Sequence, residues 1–233
     1  MNELHAVVTR WFDDTHADHR RQGKPFSISP LVPAEQMGWG FEIGVLTDEA
    51  CERLQAGARS PGLRRFGQQS AKTGNPVLLH EHSWPMLRAA EPRRRWCLRF
   101  ATPVSFRTGP RGRFSTPMPD VDKVLHSLGS SWEFAEGTDQ PFLALSDRHN
   151  IWISRLEATT AYVDLRATQL AGIIGEIDLE CGDSAIAQPL AALLALAPYA
   201  GVGAGRYKGM GVTRLQAVPS VGRSGLDQQR RTA

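Results

Sequence analysis

The stretch THADHRRQGK, at positions 15–24, carries the residue types that move protons and hold negative charge. Its two histidines, His16 and His19, lie three positions apart, so on a helix both would face one groove. Imidazole exchanges a proton near neutral pH, which suits a general acid or base. Arg20 and Lys24 are nearby cations of the kind that stabilise a developing anion. Taken alone, the same residues also fit a solvated polar helix.

A second stretch, GVGAGRYKGMG from Gly201 to Gly211, combines five glycines with Arg206 and Lys208. Glycine accepts positive φ and lets another backbone approach closely, and a run of turned N–H groups forms a concave anion site. The stretch is not the phosphate-cradling loop GxxxxGK[ST], because Gly209 follows Lys208. It is not a dinucleotide fingerprint either, because a strand rather than a helix is expected after it. A flexible turn remains the alternative reading.

Arginine is concentrated between positions 88 and 113, where one acid, Glu91, accompanies eight arginines. The eight are Arg88, Arg93, Arg94, Arg95, Arg99, Arg107, Arg111 and Arg113. The planar guanidinium matches phosphate geometry, whereas an ordinary solvated face is the competing explanation.

The composition is that of a folded protein rather than a disordered or membrane-spanning one. The chain has 233 residues, 41% of them hydrophobic, and a net charge of +3 that permits a polyanionic partner without requiring one. Three cysteines without close pairs predict neither a disulfide framework nor a zinc knuckle, and they favour a reducing cytoplasm. The first residues lack the profile of a secretion signal, and the longest apolar run is interrupted by Gln188, Pro189 and Pro198.

Hydrophobic patterning predicts an α+β chain in which strands and helices recur in the same order twice. In the first half we expect strands at LHAVVTRW, PFSISPLV, GWGFEIGVLT and NPVLLHEHSW. Helices are expected at DDTHADHRRQGK, where a loop is the alternative, and at DEACERLQAGAR. This order is the split β-α-β arrangement of a ferredoxin-like fold.

The second half repeats this order. Strands are expected at RRWCLRFATPVSFR, NIWISRLEATTAYVDL, LAGIIGEIDLEC and VTRLQAV. PDVDKVLHSLGSSW has the spacing of one helical face, and a short helix from Pro189 to Ala197 is expected to end before Pro198. We therefore predict two tandem ferredoxin-like domains, residues 1–90 and 91–218, and a disordered tail over 219–233.

LAPYAGVGAGRYKGMGVTRL resembles the C-terminal glycine-rich signature of the RAMP superfamily, in particular the Cas6-type endoribonucleases that cut precursor crRNA. FATPVSFRTG with PMPDVDKVLHSLGSSW resembles the middle of that family, LAGIIGEIDL its next strand pair, and LHAVVTRWF with GKPFSISPL its N-terminus. The resemblance reaches Val218. It implies tandem ferredoxin-like folds, binding of CRISPR repeat RNA, and metal-independent cleavage that leaves a 2′,3′-cyclic phosphate and a 5′-hydroxyl.

The resemblance also places the catalytic histidine just before the KPF-like strand. His19 is then the first candidate and His16 the second, with Lys24 or Arg20 as the cation. The family often adds a tyrosine, but all three tyrosines here lie in the second domain. His5, in the first expected strand, is interpreted as a strand residue rather than a catalyst. No cofactor is expected.

For RNA contacts we expect the glycines Gly201, Gly203, Gly205, Gly209 and Gly211 with Arg206 and Lys208, and also Arg107, Arg111 and Arg113. The segment TGPRGRFSTP would grip a hairpin stem or stack on a base through Phe114, unless it is only a solvated loop. HEH at positions 80–82 offers metal-ligand types, but strand alternation would separate Glu81 from the histidines. We therefore expect a structural or RNA-facing role there.

Two other functions stay open from the sequence. The first is a non-catalytic RNA-binding subunit of a CRISPR effector complex, since related RAMP proteins keep the fold and the glycine loop without cutting. The second is a ferredoxin-like protein that binds a small phosphorylated ligand, which would leave the arginine cluster unused. Besides CRISPR repeat RNA and crRNA, the expected partners include other effector-complex subunits and a second copy of the chain, and no membrane.

Overall fold

The computed structural model describes residues 2–13, 23–34, 38–59, 63–109, 114–137, 141, 143–165 and 168–216. Its first element is a helix, α1 (Asn2–Phe12), where the sequence predicted a strand over Leu4–Trp11. That prediction was wrong because it relied on the β-branched and aromatic composition of the stretch and not on the spacing of its apolar residues. Leu4, Val7, Val8 and Trp11 are all buried, at the three-and-four interval of one helical face.

The rest of the N-terminal half is built from short strands and a second helix. These are β1 (Phe26–Ile28), β2 (Val32–Ala34), β3 (Gly38–Gly40), β4 (Ile43–Val45), α2 (Asp48–Arg59), β5 (Leu63–Phe66) and β6 (Gln69–Lys72). Strands β1 and β4 pair antiparallel, as do β2 with β3 and β5 with β6. Helices α1 and α2 pack together, and with β1 they enclose a core of their own that includes Trp11, Phe12 and Phe26. The helix α2 was predicted correctly.

Residues 73–83 contain no strand, so the strand predicted at NPVLLHEHSW is wrong. Val77, Leu78 and Leu79 expose most of their side chains, so this apolar run packs against little of the described chain. A single-turn helix, α3 (Trp84–Arg88), follows, and Ser83 caps it by accepting a hydrogen bond from the N–H of Met86.

The C-terminal half has the full ferredoxin-like topology. Its elements are β7 (Arg95–Val104), β8 (Phe106–Thr108), β9 (Phe114–Thr116), α4 (Val121–Glu136), α5 (Leu145–Arg148), β10 (Ile151–Leu165), β11 (Thr168–Cys181), α6 (Ser184–Ala195), α7 (Ala197–Ala200) and β12 (Thr213–Gln216). One antiparallel sheet runs in the order β10, β11, β7, β12, while β8 and β9 form a separate hairpin. The sheet order and the positions of α4 and α6 are those of a β-α-β-β-α-β module.

Helices α4 and α6 cover one face of this sheet and build the larger core. Trp132 of α4, Leu98 and Phe100 of β7, Ile177 of β11 and Leu190 of α6 are almost fully buried in it. Helix α6 begins at Ser184, where Asp183 caps it by accepting from the N–H of Ala185 at 2.8 Å. The predicted start at Pro189 was therefore wrong, since this proline lies inside the helix.

The opposite face of the sheet carries an ion-pair network centred on Asp178, which is 1% exposed. Its carboxylate accepts from Nε of Arg155 at 2.8 Å and from Nη2 of Arg95 at 2.5 Å. Burial opposes ionisation of Asp178, but the hydrogen bonds from Arg155 and Arg95 outweigh it and lower the pKa of the carboxyl. Burial, with Asp178 alongside, raises the pKa of the neighbouring Cys97 thiol to about 11.

Asp178→Asn is expected to lower the free energy of unfolding at pH 7 by about 2 kcal/mol, because it leaves two half-buried guanidinium groups short of a carboxylate. The folded-state pKa lies below that of the unfolded chain, so the stabilisation is present above about pH 4 and is lost as pH falls through the folded value. Thermal melts from pH 7 to pH 3 should therefore converge for the two proteins. Glu157→Gln, which changes a mostly exposed partner of Arg155, is the control and should change stability little.

None of the helices in the described stretches is both long and apolar enough to cross a membrane. The predicted helix or loop at DDTHADHRRQGK lies largely outside the described residues, and so does the predicted tail. The domain boundaries at 90 and 218 stay predictions.

Candidate functional site

A cavity of about 300 Å³ opens beside Lys24. Its walls come from α1, the residues before β1, the first turns of α2 and the end of α4. They are Phe12, Asp13, Gly23, Lys24, Pro25, Thr47, Glu49, Ala50, Arg53 and Phe134. Aromatic and charged side chains therefore line the same space.

Lys24 and Asp13 form a nearly buried ion pair at this cavity. The ammonium of Lys24 donates to both carboxylate oxygens of Asp13, at 2.7 and 2.8 Å, and the two side chains are 4% and 9% exposed. Asp13 is the last described residue before positions 14–22, and Gly23 and Lys24 are the first two described residues after them. The pair thus fastens together the two ends of the stretch that carries His16, His19 and Arg20.

Arg53 of α2 adds a second cation to the cavity wall. Its Nη1 donates to the carbonyl oxygen of Phe12 at 2.8 Å, and its Nη2 donates to Glu49 at 2.8 Å. The first bond ties α2 to the end of α1, next to Asp13. Sequence reasoning did not single out Arg53, because its spacing of one helical turn from Glu49 is that of many exposed surface pairs.

The glycine loop, defined as Gly201–Gly211, leaves α7 and leads into β12 around a short 3₁₀ helix at Arg206–Lys208. All five of its glycines have positive φ, between 68° and 85°. The backbone that approaches them is the protein's own. A Cβ on Gly203 would lie 2.6 Å from the carbonyl oxygen of Ser105, and a Cβ on Gly201 would lie 2.8 Å from that of Gly211.

The loop is also held by its own peptide groups. The N–H of Val202 donates to Gly211 at 2.8 Å, that of Ala204 to Ser105 at 2.7 Å, and that of Gly211 to Pro103 at 3.0 Å. Most of its amides are therefore spent on the protein, which leaves few for an anion-binding concavity. The glycine-rich composition reflects a tightly folded loop rather than a flexible turn.

The glycine loop contacts the segment that carries Arg107, so two of the regions predicted to bind RNA lie side by side. Ser105, which accepts the hydrogen bond from Ala204, comes directly before β8 and two residues before the exposed Arg107. Phe114 begins the partner strand β9 and exposes 60% of its surface. Arg111 and Arg113, which come between β8 and β9 in the sequence, lie outside the described residues.

The other side of the loop contacts α1. The carbonyl oxygen of Tyr207 accepts a hydrogen bond from Nδ1 of His5 at 2.9 Å, and the two rings are 5.3 Å apart. A carbonyl can only accept, so His5 carries a proton on Nδ1. Lys208 lies next, with its ammonium 5.5 Å from the centroid of the Tyr207 ring. The prediction that His5 belongs to a strand was wrong, because it lies on a helix.

Helices α1 and α4 connect the loop to the cavity. On α1, His5 touches the loop and Phe12 lines the cavity. On α4, Ser131 accepts a hydrogen bond from Arg206. Phe134, less than one turn further along the same helix, lines the cavity. The cavity and the loop therefore share α1 and α4, and the cavity, the loop and the parts of these two helices between them (His5–Phe12 and Ser127–Phe134) form what we call the strip.

Tyr199 and His82 form a separate contact near β1. Tyr199 Oη and His82 Nδ1 share a short hydrogen bond, and Ser27 of β1 donates to the carbonyl oxygen of Tyr199 at 2.7 Å. Burial raises the pKa of the Tyr199 phenol, so it stays protonated at neutral pH. The described stretches contain no group of three or more His, Cys, Asp or Glu side chains placed to hold a metal ion.

The comparisons with known proteins agree with this architecture. The family model of the CRISPR-associated endoribonuclease Cas6 matches residues 98–213, which contain most of β7, all of α4 and the glycine loop. This chain is of the Cas6 type. The Cas6 family is a family of endoribonucleases. None of the curated proteins matches the sequence.

Solved Cas6 structures share the fold over nearly the whole chain. A product complex of Cas6 (TTHB231) from Thermus thermophilus is 21% identical, covers 92% of this chain and 93% of that chain, and has a TM-score of 0.74. A product complex of Cas6 (TTHA0078) is 24% identical, covers 92% of each chain and has a TM-score of 0.72. A RAMP protein described as binding different RNA substrates is 12% identical, covers 93% of this chain and 91% of that chain, and has a TM-score of 0.59. The predicted α+β fold of two tandem ferredoxin-like domains is confirmed.

Of the predicted catalytic residues, the structure describes Lys24, and His16, His19 and Arg20 lie outside the described residues. Sequence reasoning missed Asp13, Phe134, Ser127 and Ser131, which join the cavity and the loop to the rest of the Cas6 fold. For Asp13 a signal was present, since it is the first polar residue after a buried helical stripe. The serines gave none.

Proposed function

We propose that this protein binds CRISPR repeat RNA and cleaves precursor crRNA without a metal ion, leaving a 2′,3′-cyclic phosphate and a 5′-hydroxyl. The observation that carries the proposal is the strip that joins the cavity at Lys24 to the glycine loop, in a chain whose Cas6 match covers residues 98–213. A stretch with two histidines begins and ends at one end of the strip, and Lys208 lies at the other.

The reaction uses the RNA's own 2′-hydroxyl as the nucleophile. A base removes its proton, O2′ forms a bond to the adjacent phosphorus, and the bond from phosphorus to the 5′-oxygen breaks. An acid gives the leaving 5′-oxygen a proton, so one proton enters the protein and one leaves it. Because the nucleophile belongs to the substrate, no metal-bound water is needed.

His19 is the proposed proton-transfer residue, with His16 as the second choice. Arg20 stabilises the phosphorane as a nearby cation. Lys24 was predicted for that role as well, but its ammonium is bound by Asp13. We therefore assign to Lys24 the task of holding the histidine-bearing stretch at the cavity rather than of meeting the phosphate directly.

The RNA follows the strip from the cavity to the glycine loop. Lys208, in the loop, and Arg107, on β8, provide charge for the phosphates, and Arg111 and Arg113 are proposed to add to that charge. Phe114 is exposed enough to stack on an unpaired base. The glycines Gly201, Gly203, Gly205, Gly209 and Gly211 contribute through their positive φ, which gives the loop the closely packed backbone that presents Lys208 to the RNA.

The test is to incubate the purified protein, in excess EDTA, with end-labelled CRISPR repeat RNA from its own genome. A single cut with a 2′,3′-cyclic phosphate and a 5′-hydroxyl is expected, and the same RNA with a 2′-deoxy nucleotide at the cut should stay intact. Tight binding without any cut would instead identify a non-catalytic RNA-binding subunit. A cut in the 2′-deoxy RNA, or one that EDTA abolishes, would contradict the mechanism.

A further inference from the structure

The arginine of the glycine loop points into the protein. Arg206 Nη1 donates to Oγ of Ser131 on α4, in a short hydrogen bond, and to the carbonyl oxygen of Ala200 at 3.4 Å. A Cβ built on Gly201 or on Gly211 would lie 3.4 Å from Cγ of Arg206, so the stem of the arginine packs against both ends of the loop. The loop is wrapped around its own cation.

The partners of Arg206 are neutral. Within the described residues it pairs with no carboxylate, and burial lowers the pKa of its guanidinium. A half-buried charge that has only neutral partners costs free energy, and a packed apolar side chain of similar size would avoid that cost. An apolar side chain could not make the two hydrogen bonds of Arg206. These bonds join the loop to Ser131 of α4 and to the carbonyl oxygen of Ala200 at the end of α7.

Helix α4 holds the loop at a second point. Ser127 Oγ accepts a hydrogen bond from the N–H of Gly203 at 2.8 Å. Ser131, one turn later on the same face, donates from Oγ to the carbonyl oxygen of Ser127 at 2.9 Å. The two serines, Gly203 and Arg206 form one connected chain of hydrogen bonds, which is named the serine anchor below. Phe134, in the last turn of the same helix, lines the cavity.

Lys208 is the cation that this arrangement leaves at the loop surface. It lies two residues beyond Arg206, and the carbonyl of Tyr207 between them is fixed by His5 of α1. The backbone around Lys208 is thus held from α4 through Arg206 and from α1 through Tyr207. Lys208, like Arg206, is half-buried, and its ammonium lies over the Tyr207 ring rather than on α4.

We propose that Arg206, Ser127 and Ser131 are positioning residues: the serine anchor fixes the glycine loop on α4 so that Lys208, and not Arg206, meets the RNA phosphate. The inference rests on the proposed function, because it assigns roles within the same RNA site. It replaces the expectation that both cations of the loop hold phosphates. A neutral side chain, Ser131, then affects RNA affinity although it touches no RNA.

The salt dependence of RNA binding separates the two roles. Affinity for the 2′-deoxy repeat RNA is measured at several salt concentrations for Ser131→Ala, Arg206→Met, the double variant and Lys208→Met. Lys208→Met should reduce the slope of log affinity against log salt by about 0.7, the share of one phosphate contact on a single strand. Arg206→Met and Ser131→Ala should each weaken binding by about tenfold and reduce the slope by no more than Lys208→Met does, because they act through Lys208, and the double variant of Ser131 and Arg206 should be no weaker than the worse single one.

Ser130→Ala is the matched control, because Ser130 is the exposed neighbour of Ser131 on the same helix. It should bind RNA as the unaltered protein does. A further fall of the slope when Arg206→Met is added to Lys208→Met would overturn the proposal, since Arg206 would then meet a phosphate of its own. Ser131→Ala that binds like Ser130→Ala would overturn it too. If Arg206→Met does not fold, the comparison of the two serine variants decides alone.

Amide hydrogen exchange without RNA keeps the anchor testable apart from the proposed function. Ser131→Ala and Arg206→Met should speed exchange at Gly203 and Ala204 by about tenfold, whereas Ser130→Ala should not. Unchanged exchange in both variants would refute the anchor even if the protein cuts RNA. Faster exchange in a protein that binds no repeat RNA would refute the proposed function and leave the anchor of the loop in place.

Discussion

Replacing His19 by alanine is expected to reduce the rate of repeat cleavage by about 10²–10⁴-fold, because the 2′-hydroxyl or the leaving oxygen loses its proton-transfer partner. RNA affinity should change little, since a neutral histidine adds little to binding that depends on phosphate charge. His16→Ala tests the second candidate. If His16 is the catalyst instead, the loss moves to that variant and His19→Ala stays active.

The measurement is the single-turnover rate with protein in excess, together with the affinity for the 2′-deoxy repeat RNA. His126→Ala is a suitable control, because His126 lies exposed on α4 among the described residues and belongs to neither the cavity nor the loop. It should cut as the unaltered protein does. Full activity in both His16→Ala and His19→Ala would remove these histidines from the mechanism and favour another proton-transfer group.

The second half of the fold could be predicted from the sequence because its elements are long and their patterns are unambiguous. β10 and β11 pair along almost their whole length of 15 and 14 residues. Helix α4 shows its buried stripe at Val124, Leu128 and Trp132. In such elements composition and periodicity agree, so each local choice supports the same topology.

The first half shows what happens when the two signals disagree. The stretch Leu4–Trp11 has the β-branched and aromatic content of a strand, yet its buried residues follow helical spacing, and tertiary packing against α2 favours the helix. The apolar run Val77–Leu79 has strand composition as well, but it pairs with no neighbouring strand in the described chain. Strand propensity predicts a strand only where a partner exists.

The functional residues divided in the same way. Lys208 and Arg107 were visible because charge beside glycine or beside a turn is a local pattern. The partners of Lys24 and Arg206 were not, because these contacts join positions 11 and 75 residues apart along the chain. The sequence therefore identifies the cations of the site. Only the tertiary contacts distinguish Lys24 and Arg206, which are bound within the protein, from Lys208 at the loop.

Gly203→Ala is expected to be among the most destabilising single substitutions in the chain. The residue has a φ of 85°, which costs an alanine about 1 kcal/mol. Its new Cβ would also lie 2.6 Å from the Ser105 carbonyl oxygen and 3.0 Å from a methyl of Val104, and both neighbours belong to the end of β7 or directly follow it. Overpacking against fixed backbone adds about 2 kcal/mol, for a total near 3 kcal/mol.

Gly38→Ala separates the two terms of that loss. Gly38 has a φ of 82°, but no described atom lies within 4 Å of where its Cβ would be placed, so this variant carries the backbone cost alone. A chain of this size should lose roughly 10 °C in melting temperature with Gly203→Ala and roughly 3 °C with Gly38→Ala. If both variants lost the same amount in melting temperature, the backbone at Ser105 would have moved to accommodate the new Cβ at position 203. The close packing of the loop would then not be what requires glycine at position 203, and its positive φ would be left as the reason for it.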